Sequence, residues 1–217
     1  MEIPIIYRDK DIIICTKPVG IQSENDGVPA LLSSQLNTED IFCVHRLDMA
    51  VGGVMVFALN SRAAASLSTQ IANREFVKQY YAVVQGRPPE DEAVLTDLLF
   101  WDRGKRKSYV VKRKRAGVKE ASLSYRVLDT RQDLTLLDIT LHTGRTHQIR
   151  VQFASRTMPL VGDVKYGSQH KGCPPALWSR ALSFRHPADG RALHFEVLPG
   201  NDYPWKLFFS EETHEIH

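Results

Sequence analysis

Two stretches of this sequence gather side chains able to do covalent chemistry. In the first, Val44-His45-Arg46-Leu47-Asp48, an aspartate stands between an apolar approach, Ile41-Phe42-Cys43-Val44, and the small-residue turn Met49-Ala50-Val51-Gly52-Gly53, behind which runs Val54-Met55-Val56-Phe57-Ala58. Such surroundings hold the carboxylate near the core. There it needs a cationic partner, or else it caps and shapes the Gly-Gly turn. The second stretch, Leu141-His142-Thr143-Gly144-Arg145-Thr146-His147-Gln148-Ile149-Arg150, supplies cations. Thr146 can cap a helix to about Arg156, with Ile149 and Phe153 facing the core, His147 and Arg150 sharing a face, and Arg145 in the turn before. Turned toward Asp48, Arg150 would hold that carboxylate ionised by a close ion pair. The alternative is a structural salt bridge, and on either reading Arg150→Ala costs about 3–5 kcal/mol.

Tyr80 and Tyr81 are adjacent in a strand-like run, so their side chains face opposite sides of a sheet. One belongs to the core; the other either packs as well or lines a cleft, where its ring stacks on a planar ligand and its hydroxyl handles a proton. A third feature is the run from Trp101 to Lys119. Between Arg103 and Lys119 it has nine Lys or Arg and no acid, interleaved with Tyr109, Val110 and Val111, in a chain whose net charge is only +3. Cations beside an aromatic on a hairpin suit a phosphate backbone with bases to stack on, the alternative being a solvated charged face.

The elements that must position these residues follow from the pattern. With 217 residues and 43% hydrophobic content, the chain can bury a core without staples. Cys15, Cys43 and Cys173 are odd in number and far apart, which suits reduced thiols in a cytoplasm rather than a disulfide framework. No stretch is apolar enough to span a membrane, and His142 with His147 lacks a third metal ligand at a recognisable spacing, so no metal site is expected. Ile3–Tyr7 and Ile12–Cys15 read as a hairpin ending at Lys17-Pro18-Val19-Gly20, and Leu31, Leu32 and Leu36 as a short helix. Asn60 offers a cap for a helix from Arg62 to Asn73, with Ala64, Leu67 and Ile71 at helical spacing. Strands are predicted at 76–86, 93–100, 107–113, 121–129 and 134–141, a loop at 166–175, and a hairpin around His186-Pro187-Ala188-Asp189-Gly190. Strands dominate, giving an α+β class around a mostly antiparallel mixed sheet with flanking helices.

The order Lys17-Pro18-x-Gly20, His45-Arg46-Leu47-Asp48, Lys78-x-Tyr80-x-Ala82, Thr143-Gly144-Arg145-Thr146-His147-Gln148-Ile149-Arg150, Gly162-Asp163-x-x-Tyr166-Gly167, His186-Pro187 resembles the RluA-type pseudouridine synthases, from about Ile5 to Trp205. The resemblance implies a central active-site cleft and cofactor-independent isomerisation of uridine to pseudouridine in structured ribosomal or transfer RNA. It puts Asp48 on the catalytic aspartate, Tyr80 on the tyrosine that stacks on uracil, Arg150 on the aspartate's basic partner, and Arg46 on the residue entering the space of the flipped base. RNA contacts are expected from Arg46, Arg145 and His147, and from Lys105, Arg106, Lys107, Lys112 and Arg113 of the basic hairpin insertion at 101–119. Many members carry Thr-Ser where this chain has Val51-Gly52. One catalytic domain over 1–217 is expected, without an N-terminal accessory RNA-binding domain, working as a monomer with no obligate protein partner. Competing readings are an RNA-binding protein with an inactive synthase-like site and a hydrolase that releases free uracil.

Overall fold

Short apolar runs separated by turns are buried most readily as strands, and the computed structural model, which describes residues 1–209, is built that way. The fold is α+β, and the chain divides into two compact units: Met1–Gln79 with Trp178–Pro199, and Tyr80–Leu177 with the residues from Gly200 onward.

The first unit opens with the predicted hairpin, β1 (Ile5–Arg8) antiparallel to β2 (Ile12–Lys17). After α1 (Val28–Leu36) and β3 (Phe42–Cys43), the run behind Asp48 forms β4 (Gly52–Ala58), buried at every residue and antiparallel to both β2 and β3. Then α2 (Ser61–Ala72) starts at its predicted cap, where Asn60 Oδ1 accepts the Ala63 N–H at 2.8 Å. The helix buries Ala63, Leu67 and Gln70, while Ala64 and Ile71 sit at the margin of the core. The face is rotated from the Ala64–Leu67–Ile71 stripe because the Gln70 amide serves the backbone of Arg185, accepting its N–H at 2.8 Å and donating to its carbonyl at 2.9 Å.

The chain passes into the second unit within β5 (Val77–Gln85). There β6 (Glu92–Asp102), β7 (Lys107–Val111), β8 (Val118–Arg131) and β9 (Leu134–Leu141) form an antiparallel array in the order β5-β9-β8-β6-β7. The basic run lies on the β6–β7 turn, on β7 and on the turn before β8. Tyr80 and Tyr81 are both buried, Tyr81 against the Phe209 ring at 5.1 Å. Next, α3 (Gln148–Ala154) packs on β6 and β7, its Val151 clustering with Leu99 of β6 and Ala121 of β8. The second unit is completed by a 3-10 turn, Val164–Tyr166, and by α4 (Lys206–Phe209) at its far end. Between those two pieces, β10 (Leu177–Arg185) and β11 (Ala192–Glu196) return to the first unit as the predicted hairpin around His186-Pro187. Among the described residues, no helix is long and apolar enough to cross a membrane.

The glycines behind Asp48 are explained by β10, which runs parallel to β4 with Trp178 opposite Gly52 and Ser179 opposite Gly53. A Cβ on Gly52 would lie 2.5 Å from the Trp178 ring; one on Gly53, at φ +122°, would lie 2.2 Å from the Ser179 carbonyl oxygen. Gly53→Ala is expected to cost at least about 3 kcal/mol, since the clash is with backbone and cannot be relieved by a rotamer change. Urea denaturation measures it, and a loss below about 1 kcal/mol would show that β4 and β10 separate easily.

Candidate active site

In the first unit, Asp48 lies on a loop without regular structure, so the backbone there needs partners from elsewhere. Ser23 meets Leu47: its hydroxyl accepts the Leu47 N–H at 2.9 Å and donates to the Leu47 carbonyl. The Cys43 thiol donates to the carbonyls of Ser23 and His45. On the other side of Asp48, the Met49 carbonyl accepts the Gly20 N–H at 2.8 Å and the Lys17 ammonium at 3.2 Å. Lys17 is fully buried and also donates to the carbonyls of Pro18 and Ile21, at 2.8 and 2.6 Å. Burial lowers the Lys17 pKa to about 8, while the negative charge of Asp48 opposes that fall. The Lys17-Pro18-x-Gly20 turn is therefore the backing of the Asp48 loop, a role the sequence reading left undefined. Arg46, next but one before Asp48, is 63% exposed and pairs with Glu24 at 3.1 Å. Such a pair contributes about 0–1 kcal/mol and is readily exchanged for another anion.

His45 has a different task. Its Nε2 accepts the Val56 N–H at 3.2 Å, which ties the loop to β4 and keeps the imidazole neutral. Burial, helped by the positive charge of Lys78, lowers its pKa to about 3. Below pH 6.5 the unfolded chain takes up a proton on this ring that the native chain refuses. Stability present above pH 6.5 is therefore lost as the pH falls toward 3, about 2 kcal/mol of it between pH 7 and 5. Urea midpoints at the two pH values should differ by that much more in the native sequence than in His45→Gln, and equal slopes would disprove it.

In the second unit, the helix that carries Arg150 begins at Gln148 rather than Thr146, because His147 takes a left-handed conformation (φ 53°) as its N-terminal flanking residue and makes no side-chain cap. The turn is held by Gln148 instead: its Oε1 accepts the Thr143 hydroxyl at 2.8 Å and the Arg145 N–H at 3.0 Å, and its Nε2 donates to the Ser122 carbonyl at 3.0 Å. Every residue from Gln148 to Phe153 is buried, so the polar ones must find partners inside. Arg150 Nε and Nη2 donate to the two carboxylate oxygens of Asp163 at 2.7 and 2.8 Å, a bidentate pair with Asp163 only 1% exposed. Asp163 and Tyr166 are the functional residues the sequence reading missed. Their signal was the Gly162-Asp163-x-x-Tyr166-Gly167 motif, which no local pattern links to Arg150.

The other predicted cations divide into two groups. His147 lies with Arg150 around Tyr166, its Nδ1 2.9 Å from the Tyr166 hydroxyl. Lys107 joins them, its ammonium 5.0 Å above the Tyr166 ring. Arg145 is bound elsewhere, its Nε donating to the Glu120 carbonyl at 2.9 Å. Lys105, Arg106, Lys112 and Arg113 are exposed on the hairpin, Lys105 6.0 Å above the Tyr109 ring. Among the described residues, Asp9, Asp11 and His186 place possible metal-ligand atoms within 4.8 Å of one another. The Asp9 oxygens, however, already accept from the Tyr7 hydroxyl, two backbone N–H groups and His186, with the Arg191 guanidinium at 4.0 Å, so the cluster reads as a closed ion-pair knot.

Asp48 thus lies in the first unit, and Tyr80 and Arg150 in the second. A family model described as RNA pseudouridylate synthase matches residues 11–155, a span that takes in the clamped Asp48 loop, β5 and the whole of α3. The chain belongs to this family. An RNA pseudouridine synthase of Aquifex aeolicus, whose role is uncharacterized, is 35% identical over 90% of this chain and 69% of its own length. The tRNA pseudouridine synthase C of Haemophilus ducreyi is 28% identical over 97% of this chain and 96% of its own. The chain spans about two thirds of the length of several curated relatives it matches. A solved structure, human RNA pseudouridylate synthase domain containing 1, superposes with a TM-score of 0.78 at 21% identity, over 92% of this chain and 84% of that one. That likeness confirms the α+β class predicted from the alternation of strands, and membership in the pseudouridylate synthase family agrees with the RluA-type resemblance.

Proposed function

We propose that this protein isomerises uridine to pseudouridine in structured ribosomal or transfer RNA. The N1–C1′ glycosidic bond breaks, a C5–C1′ bond forms, the hydrogen on C5 leaves to solvent, and N1 gains a proton. Asp48 acts as the nucleophile or general base, Arg150 keeps it ionised, and Tyr80 stacks on the uracil and assists removal of the C5 proton. The observation that carries this reading is the backbone clamp around Asp48. Ser23 on one side and Lys17 with Gly20 on the other fix a half-buried carboxylate where a substrate atom can meet it without rearrangement.

The target base leaves its stack at a cost of a few kcal/mol, offset by Arg46 and by phosphate contacts from Arg145, His147, Lys105, Arg106, Lys107, Lys112 and Arg113. The residues from 1 to 217 form one catalytic module with the 101–119 hairpin as its RNA-gripping insertion, working as a cytoplasmic monomer. Ribosomal and transfer RNA from cells lacking the protein, labelled with tritium at uridine C5, tests this directly. The protein is expected to release tritium to water with no free uracil. Absence of release would reject the synthase reading, and uracil release would favour a hydrolase.

A further inference from the structure

We infer that Tyr166 is the positioning residue through which the β6–β7 hairpin fixes the orientation of Arg150. This deepens the synthase reading and rests on it. A buried phenol hydroxyl requires hydrogen-bond partners, and Tyr166, 8% exposed, draws them from two segments remote in sequence. It accepts the Ser108 backbone N–H of β7 at 2.8 Å and lies 2.9 Å from Nδ1 of His147, the residue immediately before α3. Its ring stands between two cations, Arg150 Cζ at 5.1 Å and Lys107 Nζ at 5.0 Å from the centroid. Its N–H donates to the Asp163 carbonyl at 3.0 Å, so the residue shares a single turn with the carboxylate that grips Arg150.

The hairpin is fastened to this turn at several points. Ser108, 2% exposed, donates its hydroxyl to the Thr146 carbonyl at 2.6 Å, and the Lys107 ammonium donates to the Lys165 carbonyl at 2.7 Å. Trp101 of β6 meets the His147 ring edge-on at 5.3 Å. Burial pushes the Tyr166 hydroxyl up to about 12, against the lowering effects of the Ser108 N–H and Arg150, so it stays protonated at neutral pH and serves as a fixed joint. A hairpin that carries the basic residues is thereby coupled to the Arg150 guanidinium. RNA seated on β7 transmits its position to Arg150 through these ties, the Tyr166 hydroxyl among them.

Single-turnover tritium release, with enzyme in excess over the labelled ribosomal and transfer RNA, separates the maximal rate from the half-saturating enzyme concentration. Tyr166→Phe keeps the ring between its cations and deletes only the hydroxyl. Its maximal rate is expected to fall about tenfold while half-saturation stays within about twofold. Ser108→Ala, which cuts the tie to Thr146 and leaves the tyrosine intact, should lower the rate in the same direction by a smaller factor, and it decides the matter if Tyr166→Phe does not fold. Unchanged maximal rates, or a shift confined to half-saturation, would overturn the inference alone. No release by the native protein would overturn the synthase reading and this inference with it.

Discussion

Replacing Asp48 with asparagine is expected to abolish tritium release, by about four orders of magnitude or more, while leaving the fold standing. The substitution preserves shape and removes the charge, so the nucleophile or base is gone although the loop that carries it is unchanged. Loss of a group central to bond making typically costs this much, with residual rate coming from binding alone. The loop should survive because its clamps are backbone and neighbouring side chains: Ser23 on Leu47, and Lys17 and Gly20 on the Met49 carbonyl. Thermal denaturation should move little, and the Lys17 amine, no longer opposed by a carboxylate, should titrate below its present value near 8. An Asp48→Asn protein that turns over at a tenth of the native rate would remove Asp48 from the chemistry.

The second large effect concerns stability. Asp163→Ala removes the bidentate carboxylate from the Arg150 guanidinium, which is only 6% exposed. Breaking one partner of a buried pair costs about 3–5 kcal/mol, because the remaining charge loses its counterion without gaining water. Equilibrium urea denaturation should show a loss of that size, and Asp163→Asn, which keeps one acceptor oxygen for the bidentate fork, a smaller one. Combining Asp163→Leu with Arg150→Met should recover part of the stability and none of the activity, since apolar side chains remove the desolvation cost together with the charge. A loss under about 1 kcal/mol in Asp163→Ala would mean that the guanidinium is held chiefly by its other contacts.

The strands were legible because alternation and turn residues are local signals. The hairpins at residues 5–17 and 177–196, the Asn60 cap and the basic hairpin all stand where pattern places them. The limits of α3 were not legible from propensity, since Thr146 has the chemistry of a cap, yet the Gln148 amide and the left-handed turn at His147 take over that function. The inward turn of Gln70 on α2 was not legible for a related reason: the residue is polar, and only its tie to Arg185, far along the chain, turns it inward. Composition likewise offers no reason for two successive glycines behind Asp48, a requirement set by Trp178 and Ser179. For the site, the motif residues were visible, but the grip of Asp163 on Arg150 and the contacts of Tyr166 are products of tertiary packing that spacing cannot express.

The first unit is assembled from two pieces of sequence separated by Tyr80–Leu177 of the second. Phe76, stacked at 5.0 Å on Phe184, and the apolar side of β4 acquire part of their covering from β10, which a ribosome delivers late. During synthesis the Asp48 loop therefore exists for a time on a half-built scaffold with an unpaired strand edge, a sticky intermediate of the kind chaperones retain. Translation arrest before Trp178 would leave a nascent polypeptide unable to complete this half, however sound the remainder.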